Sequence, residues 1–360
     1  IVQDSKQKIV ANVTSDNNQS YILITGLGHG QNYIVKILAI RLNKTSDQSY
    51  EIFTTTIIPP YSPNNVTVQE TSITNSSLNL TWNEPSDFNG PRVGYVVCTV
   101  ERIYPDENGV NKGCNETPKE WFQVTSLTAG AFYNFSVYSR NSVYNSSDSA
   151  ISEEKQTHEG TPGVVDGVKL ISFEREIEVM WHRPKQPYGN IIAYKIKASN
   201  MENTSDCHIM LLIINETNIN VTEGSSNCTY QEQNTEVKKK YMNITITSLM
   251  PYSNYSINVM AYTRVGAGME YSNTTTTNET VPGSVTNVMG NATNATSILV
   301  SWHAPLIKTG RTEYLIEVYD TIAGTSYQLK NITGYEVQNH IVTGLHEYWV
   351  YHFAVSASTS

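Results

Sequence analysis

One spacing of residues recurs along the chain and constrains its fold more than any other feature of the sequence. A Trp is followed by Pro after three residues, by Gly after eight, and by Tyr after twelve or thirteen. Self-similarity of this kind indicates that one structural unit is repeated. The pattern occurs three times, as Trp82, Pro85, Gly90 and Tyr95; Trp181, Pro184, Gly189 and Tyr194; and Trp302, Pro305, Gly310 and Tyr314.

A second spacing, Leu followed by Tyr after six residues, occurs four times and continues into alternating apolar residues. The residues before each Trp alternate in the same way, as in Leu78, Leu80 and Trp82. A side-chain period of two is typical of β-strands with one buried and one wet face. No helical pattern of useful length competes, so the sequence predicts an all-β protein. The four pairs are Leu27 and Tyr33, Leu127 and Tyr133, Leu249 and Tyr255, and Leu345 and Tyr351.

Together these motifs resemble the fibronectin type III repeat. That family is a seven-stranded sandwich of two β-sheets, related in architecture to immunoglobulin domains. The resemblance implies that Trp82, Trp181 and Trp302 are core residues of the second strand. It also implies that the four Leu–Tyr motifs are tyrosine corners, in which the Tyr hydroxyl bonds back to the backbone. The expected fold is therefore a tandem array of immunoglobulin-like β-sandwiches, arranged like beads on a string.

Proline-rich stretches at 59–63, 160–163 and 281–283 predict the linkers, and such joints limit hinge freedom. We expect a complete repeat over 58–159 and another over 160–280. The segment 1–57 has a corner Tyr but no upstream Trp, so it is expected to supply only the C-terminal strands of a repeat. The segment 281–360 is expected to lack the last strand. The chain is then expected to be a segment of a longer array of repeats.

The third repeat carries an insertion at about 200–235. The corner Tyr follows the Tyr of the Trp motif by 61 positions there, from Tyr194 to Tyr255, against 38 in the second repeat. The apolar run His208–Ile214 followed by Asn218–Thr222 predicts an extended hairpin closed by a disulfide. Long ordered loops often carry binding, but the insertion also holds four potential glycans that would obstruct a protein partner. We therefore favour a shielded hairpin over a ligand-contacting protrusion.

The four cysteines fall into two local pairs, Cys98 with Cys114 and Cys207 with Cys228. Four cysteines allow three connectivities, and local pairing is favoured because each pair lies within one repeat. Cys98 and Cys114 also bracket the turn-rich stretch Pro105–Gly109 symmetrically, which is the register of a cross-strand disulfide on a hairpin. Zinc is a poor alternative, because no C-x₂-C pair and no completing His are present.

Asparagine usage indicates the compartment. Of 35 Asn, 20 lie in N-x-S/T with x not Pro, the acceptor sequence for N-glycosylation. N-glycosylation requires the secretory lumen. Disulfides fit the same compartment, so the chain is expected to be extracellular; the alternative is a cytosolic β protein of biased Asn, Ser and Thr content. The candidate N-glycosylation sites are Asn12, Asn18, Asn43, Asn65, Asn75, Asn79, Asn115, Asn134, Asn145, Asn203, Asn215, Asn220, Asn227, Asn243, Asn254, Asn273, Asn278, Asn291, Asn294 and Asn331.

Several classes of function are excluded or disfavoured by the sequence. A net charge of −9 argues against nucleic acid, which requires basic patches. The longest apolar run, Ile209–Ile214, is far shorter than the roughly 20 residues that span a bilayer, so a membrane is expected only through a segment outside 1–360. No catalytic constellation, metal set or phosphate-binding loop is found. We expect no enzyme within these residues and no cofactor.

The leading hypothesis is a glycosylated extracellular stalk or ligand-presenting segment of a cell-surface receptor or adhesion protein. It would act by binding an extracellular protein, or the same protein on another cell. Dense sequons and repeat starts such as Pro63–Val66 resemble the ectodomains of receptor-type tyrosine phosphatases, which implies a catalytic domain in the cytoplasm and none here. The alternatives are an adhesion molecule with preceding immunoglobulin domains, and a secreted matrix or filament protein built of these repeats.

Overall fold

The computed structural model describes residues 1–15, 19–42, 44–214, 228–235 and 240–359. Strands account for nearly all of its regular structure. The described residues contain one helical element, a 3-10 turn at Glu70–Ser72. Within them, no helix has the length and apolar character needed to cross a membrane. The chain divides into two compact units, Ile1–Gly160 with Tyr188–Asn190, and Thr161–Pro187 with Ile191–Ser360.

The first repeat opens the first unit. Its main sheet has four antiparallel strands in the order β2-β1-β3-β6, and β4 pairs with β5 in a short ribbon. Tyr33 lies at the start of β3 and is buried. The strands are β1 (Val2–Gln3), β2 (Ile9–Ala11), β3 (Asn32–Ile37), β4 (Ile40–Arg41), β5 (Lys44–Thr45) and β6 (Ser49–Thr54).

The second repeat is a sandwich of a three-stranded sheet, β11-β8-β7, and a five-stranded sheet built around β9 and β12. Trp82 lies on β8, where the burial pattern alternates strictly with the sequence. Tyr133 begins the inward-facing row of β12. The strands are β7 (Asn64–Val68), β8 (Ser77–Asn83), β9 (Arg92–Arg102), β10 (Val110–Thr117), β11 (Trp121–Thr125), β12 (Phe132–Asn141), β13 (Ala150–Ile151) and β14 (Lys155–Gln156).

The third repeat, in the second unit, pairs a three-stranded sheet, β15-β16-β20, with a six-stranded sheet. The larger sheet has the order β19-β18-β17-β21-β22, and β23 also pairs with β21. Trp181 on β16 is fully buried. The strands are β15 (Asp166–Ser172), β16 (Ile177–His182), β17 (Ala193–Asn200), β18 (Cys207–Ile214), β19 (Thr229–Thr235), β20 (Tyr241–Ile246), β21 (Asn254–Thr263), β22 (Gly266–Ala267) and β23 (Tyr271–Thr276).

The fourth repeat has two three-stranded sheets, β24-β25-β28 and β27-β26-β29. Trp302 on β25 is 1% exposed and packs in a core with Tyr314 and Ile316. The strands are β24 (Thr286–Asn294), β25 (Ser297–His303), β26 (Thr312–Asp320), β27 (Thr325–Thr333), β28 (Asn339–Thr343) and β29 (Tyr351–Thr359). Fold class is thus as expected, an all-β chain of tandem two-sheet sandwiches.

Candidate functional site

The two ends of the Trp motif meet inside each sandwich. Ring centres are 5.2 Å apart for Trp82 and Tyr95 and 5.0 Å apart for Trp302 and Tyr314. Since the Trp strand belongs to one sheet and the Tyr strand to the other, each pair bridges the two layers. Edge-on and tilted aromatic pairs of this kind contribute more than their buried area alone. The Trp and Tyr of the motif therefore build the core.

All four corner tyrosines make the hydrogen bond that defines the motif. In each, the hydroxyl accepts from the backbone N–H five residues upstream. The donors are Gly28 to Tyr33 at 2.9 Å, Thr128 to Tyr133 at 2.7 Å, Met250 to Tyr255 at 2.8 Å, and His346 to Tyr351 at 2.9 Å.

In the second repeat the corner Tyr also holds a carboxylate, which the sequence did not predict. The hydroxyl of Tyr133 donates to Glu101, whose side chain is 9% exposed and lies 3.0 Å from Lys112 Nζ. Burial alone would raise the pKa of Glu101, but hydrogen bonds from Thr128, Tyr133 and Lys112 outweigh it and lower that pKa. Burial is the larger cause, and the hydrogen bond to Glu101 the second, of a rise in the pKa of Tyr133 to about 12.

The third repeat repeats this arrangement with Asp206. Tyr255 donates to Asp206, the side-chain amide of Asn200 donates to it at 3.1 Å, and His208 Nε2 lies 3.0 Å from its other oxygen. Burial, followed by the bond to Asp206, raises the pKa of Tyr255. The cluster ties the corner to the start of β18.

Both cysteine pairs are bonded. Cys98 and Cys114 face each other directly across β9 and β10, with Cα atoms 4.0 Å apart. Cys207 and Cys228 are joined with Cα atoms 4.5 Å apart. The structure describes no free Cys. Each bond fastens strands within one repeat, so none of them links repeats.

The described part of the insertion in the third repeat is two strands, β18 and β19. The proposed partner Asn218–Thr222 lies outside the described residues. Within the described residues, β18 pairs antiparallel with β17 on one side and parallel with β19 on the other, with His208 opposite Thr229. Parallel pairing needs a return connection of about a dozen residues. Met210, Leu212 and Ile214 enter the core from β18, whereas Ile209 and Leu211 are buried on its other face.

Most of the potential glycan sites among the described residues lie on the surface. Asn18, Asn43, Asn215, Asn220 and Asn227 fall outside the described residues. Asn79 and Asn134 are half-buried on the centre strands β8 and β12. The exposed sites are Asn12, Asn65, Asn75, Asn115, Asn145, Asn203, Asn243, Asn254, Asn273, Asn278, Asn291, Asn294 and Asn331.

In the part of the chain that the structure describes, no three His, Cys, Asp or Glu side chains lie close enough together to hold a metal ion. His182 and His303, which follow the core Trp, are exposed, and His303 bonds to Asn287 at 2.9 Å. The carboxylates of Glu101 and Asp206 are both hydrogen-bonded to corner tyrosines of their own repeats, an arrangement suited to a scaffold that presents surfaces.

Comparison with known proteins identifies the repeats. The family model for the fibronectin type III domain matches residues 61–155 and 171–278, which is more than half of the chain. This is a non-catalytic type of domain. The matches fall on the two repeats whose sandwiches have the most strands.

Similar full-length proteins are cell-surface receptors and adhesion molecules. A tyrosine-protein phosphatase Lar-like of Caenorhabditis elegans is 26% identical over 80% of this chain and 13% of its own length. The neural cell adhesion molecule L1 of Homo sapiens is 30% identical over 32% of this chain and 9% of its own length. The chain thus spans about an eighth or less of these relatives. The crystal structure of chicken CNTN1 FN1-FN3 domains, 18% identical, covers 84% of this chain and 94% of its own, with a TM-score of 0.45.

Proposed function

The chain belongs to the fibronectin type III domain family, and from that premise we propose that it is the extracellular segment of a cell-surface receptor or adhesion protein. It acts by binding another protein, and its repeats form a glycosylated stalk that presents loops and strand edges to that partner. The observation that carries the proposal is the combination of tandem sandwiches, intra-repeat disulfides and sequons on exposed strands and loops.

The finer proposal is that the full-length protein is a receptor-type tyrosine phosphatase. It is supported by the Lar-like relative, which is similar along most of this chain. Any catalysis would then belong to a domain outside these 360 residues.

The binding proposal is tested with the secreted, glycosylated chain coupled to beads. We expect the beads to cluster with each other or to bind cells, and a chain heated past its melting temperature to lose both. Beads that do neither, with folded protein confirmed by circular dichroism, would contradict the adhesion role and favour a secreted matrix protein.

The finer proposal is tested by reading the transcript outward from both ends. An apolar segment of about 20 residues followed by a phosphatase domain would support it. A spanning segment without a phosphatase would leave an adhesion receptor, and repeats followed by a stop codon would contradict both membrane readings.

A further inference from the structure

The Gly of the Trp motif has no role in the sandwich core, yet it recurs at the same place. Gly90 and Gly310 each lie eight residues after the core Trp of their repeat. Neither has the left-handed φ that excludes other residues. Their backbone conformation would therefore accept Ala, and another constraint must account for them.

The linker arriving from the preceding repeat supplies that constraint at Gly90 and part of it at Gly310. A Cβ added to Gly90 would lie 2.8 Å from Cγ2 of Ile57. One added to Gly310 would lie 2.6 Å from Cγ2 of Thr359, in its own repeat, and 2.9 Å from Cδ of the linker residue Glu279. Cβ contacts under 3.0 Å essentially do not occur in proteins. Ile57 and Glu279 are equivalent, because each stands three residues before a linker Pro, Pro60 and Pro282.

Hydrogen bonds fasten the linker over the Gly. In the second unit, the backbone N–H of Thr280 donates to the carbonyl of Thr309 at 2.9 Å, and the N–H of Arg311 donates to the Glu279 carboxylate at 3.1 Å. In the first unit, the side-chain amide of Asn89 donates to the carbonyl of Pro59 at 2.8 Å. The linker thus lies on the loop that carries the Gly in both units.

A side chain at the C-terminal end of the strand that carries the corner Tyr completes the contact. Asn141 donates through Nδ2 to the carbonyl of Ile58 at 2.8 Å, and Thr359 donates through Oγ1 to the carbonyl of Thr280 at 3.2 Å. Asn141 and Thr359 each lie eight residues after the corner Tyr of their repeat. The two carbonyls each lie two residues before the linker Pro.

We propose that these four positions form a joint between neighbouring repeats and recur as part of the repeat sequence. The linker residue three positions before the Pro covers the motif Gly. The backbone carbonyl of the next linker residue accepts a hydrogen bond from the side chain eight positions after the corner Tyr. The joint is a binding site for the preceding linker of the same chain. It holds the first repeat against the second, and the third against the fourth, instead of leaving a free hinge.

The competing explanation is that Gly90 serves the fold of its own sandwich. The two explanations differ in the effect of Ile57, which belongs to the linker. If crowding by Ile57 is what excludes a side chain at Gly90, shortening Ile57 must restore the space. If Gly90 serves its own sandwich, the length of Ile57 is irrelevant.

The test uses Gly90→Ala, Ile57→Ala and the double variant in the full chain, followed by amide hydrogen exchange. The reporting amides are those of Ile58 and Tyr61, which donate to Asn89 and Asp87. Gly90→Ala should raise their exchange by about tenfold, as overpacking opens a local contact, while amides of β8 and β12 keep their protection. The double variant should return to the level of Ile57→Ala alone.

Gly283→Ala is the matched control, because its φ is ordinary and the nearest atom to an added Cβ, on Pro305, is 3.8 Å away. It should leave linker exchange unchanged. Unaltered exchange at Ile58 in Gly90→Ala would overturn the proposal. So would loss of protection in β8 and β12 that Ile57→Ala fails to reverse. Neither readout depends on a ligand, so the result is independent of the proposed function.

Discussion

The indole of Trp181 and the phenol ring of Tyr194 meet edge to face across the two sheets of the third repeat, with ring centres 5.3 Å apart. Both are essentially inaccessible to solvent, at 0% and 1% exposure. Each belongs to a different layer, so the pair holds the layers together at the centre of the core.

Replacing Trp181 with Ala should therefore unfold the third repeat. Truncation of a buried Trp costs about 3–5 kcal/mol, a large part of the stability of a domain. Calorimetry should show the loss of one cooperative transition. Trp121→Ala is the control, because Trp121 is 48% exposed and its removal should leave the melting profile nearly unchanged. A third repeat that still melts cooperatively in Trp181→Ala would contradict the core placement.

The aromatic framework could be predicted from sequence because its spacing is local. Trp181 near the end of β16 and Tyr194 near the start of β17 are separated by one loop, and the alternation around them fixes which side faces inward. The corner carboxylates could not be predicted, since Glu101 lies 32 residues from Tyr133 and only the folded sheet brings them together. The parallel pairing of β18 and β19 is non-local in the same sense.

The Glu101–Tyr133 pair should make the second repeat pH-sensitive at both extremes. The pKa of Glu101 is lowered on folding, so its contribution is present above its unfolded pKa of about 4.3 and is lost as pH falls through the folded value. The pKa of Tyr133 is raised from 10.0 to about 12, so its contribution is present below pH 10 and is lost as pH rises through about 12.

Two variants separate these contributions. Glu101→Gln should flatten the acid side of the stability profile. Tyr133→Phe should reduce the alkaline loss, and Tyr95 of the same repeat accounts for the remainder, because burial raises its pKa to about 12. Tyr133→Phe should cost about 1–3 kcal/mol at neutral pH, because the Thr128 N–H and the Glu101 carboxylate both lose their bond to the hydroxyl. Glu101→Gln should cost less, because the Gln carbonyl still accepts from Tyr133 and the ion pair that is lost is with the half-exposed Lys112. Urea unfolding across pH provides the measurement, and an acid limb unchanged in Glu101→Gln would show that other carboxylates control it.

The disulfides should map as two local bonds. Non-reducing peptide mapping is expected to join Cys98 to Cys114 and Cys207 to Cys228. Replacing Cys98 and Cys114 together by Ser should lower the stability of the second repeat by about 3 kcal/mol, the value for a loop of roughly 15 residues. The third repeat should melt unchanged. A linkage between Cys98 and Cys207 would contradict the division into repeats.

We expect Asn243 to carry a glycan that does not contribute to the folding stability of the third repeat. It lies on β20 between the buried Met242 and Ile244 and points outward with an exposed side chain. Asn243→Gln should remove one glycan from the secreted protein, detected by glycopeptide mass spectrometry, and surface changes of this kind alter stability by no more than about 0.5 kcal/mol. Thr245→Ala should remove the same glycan while keeping the Asn, and Thr245→Ser should retain it. An Asn243 that is unmodified in the parent chain, or a glycan that persists in Thr245→Ala, would contradict the prediction that Asn243 is glycosylated through this sequon.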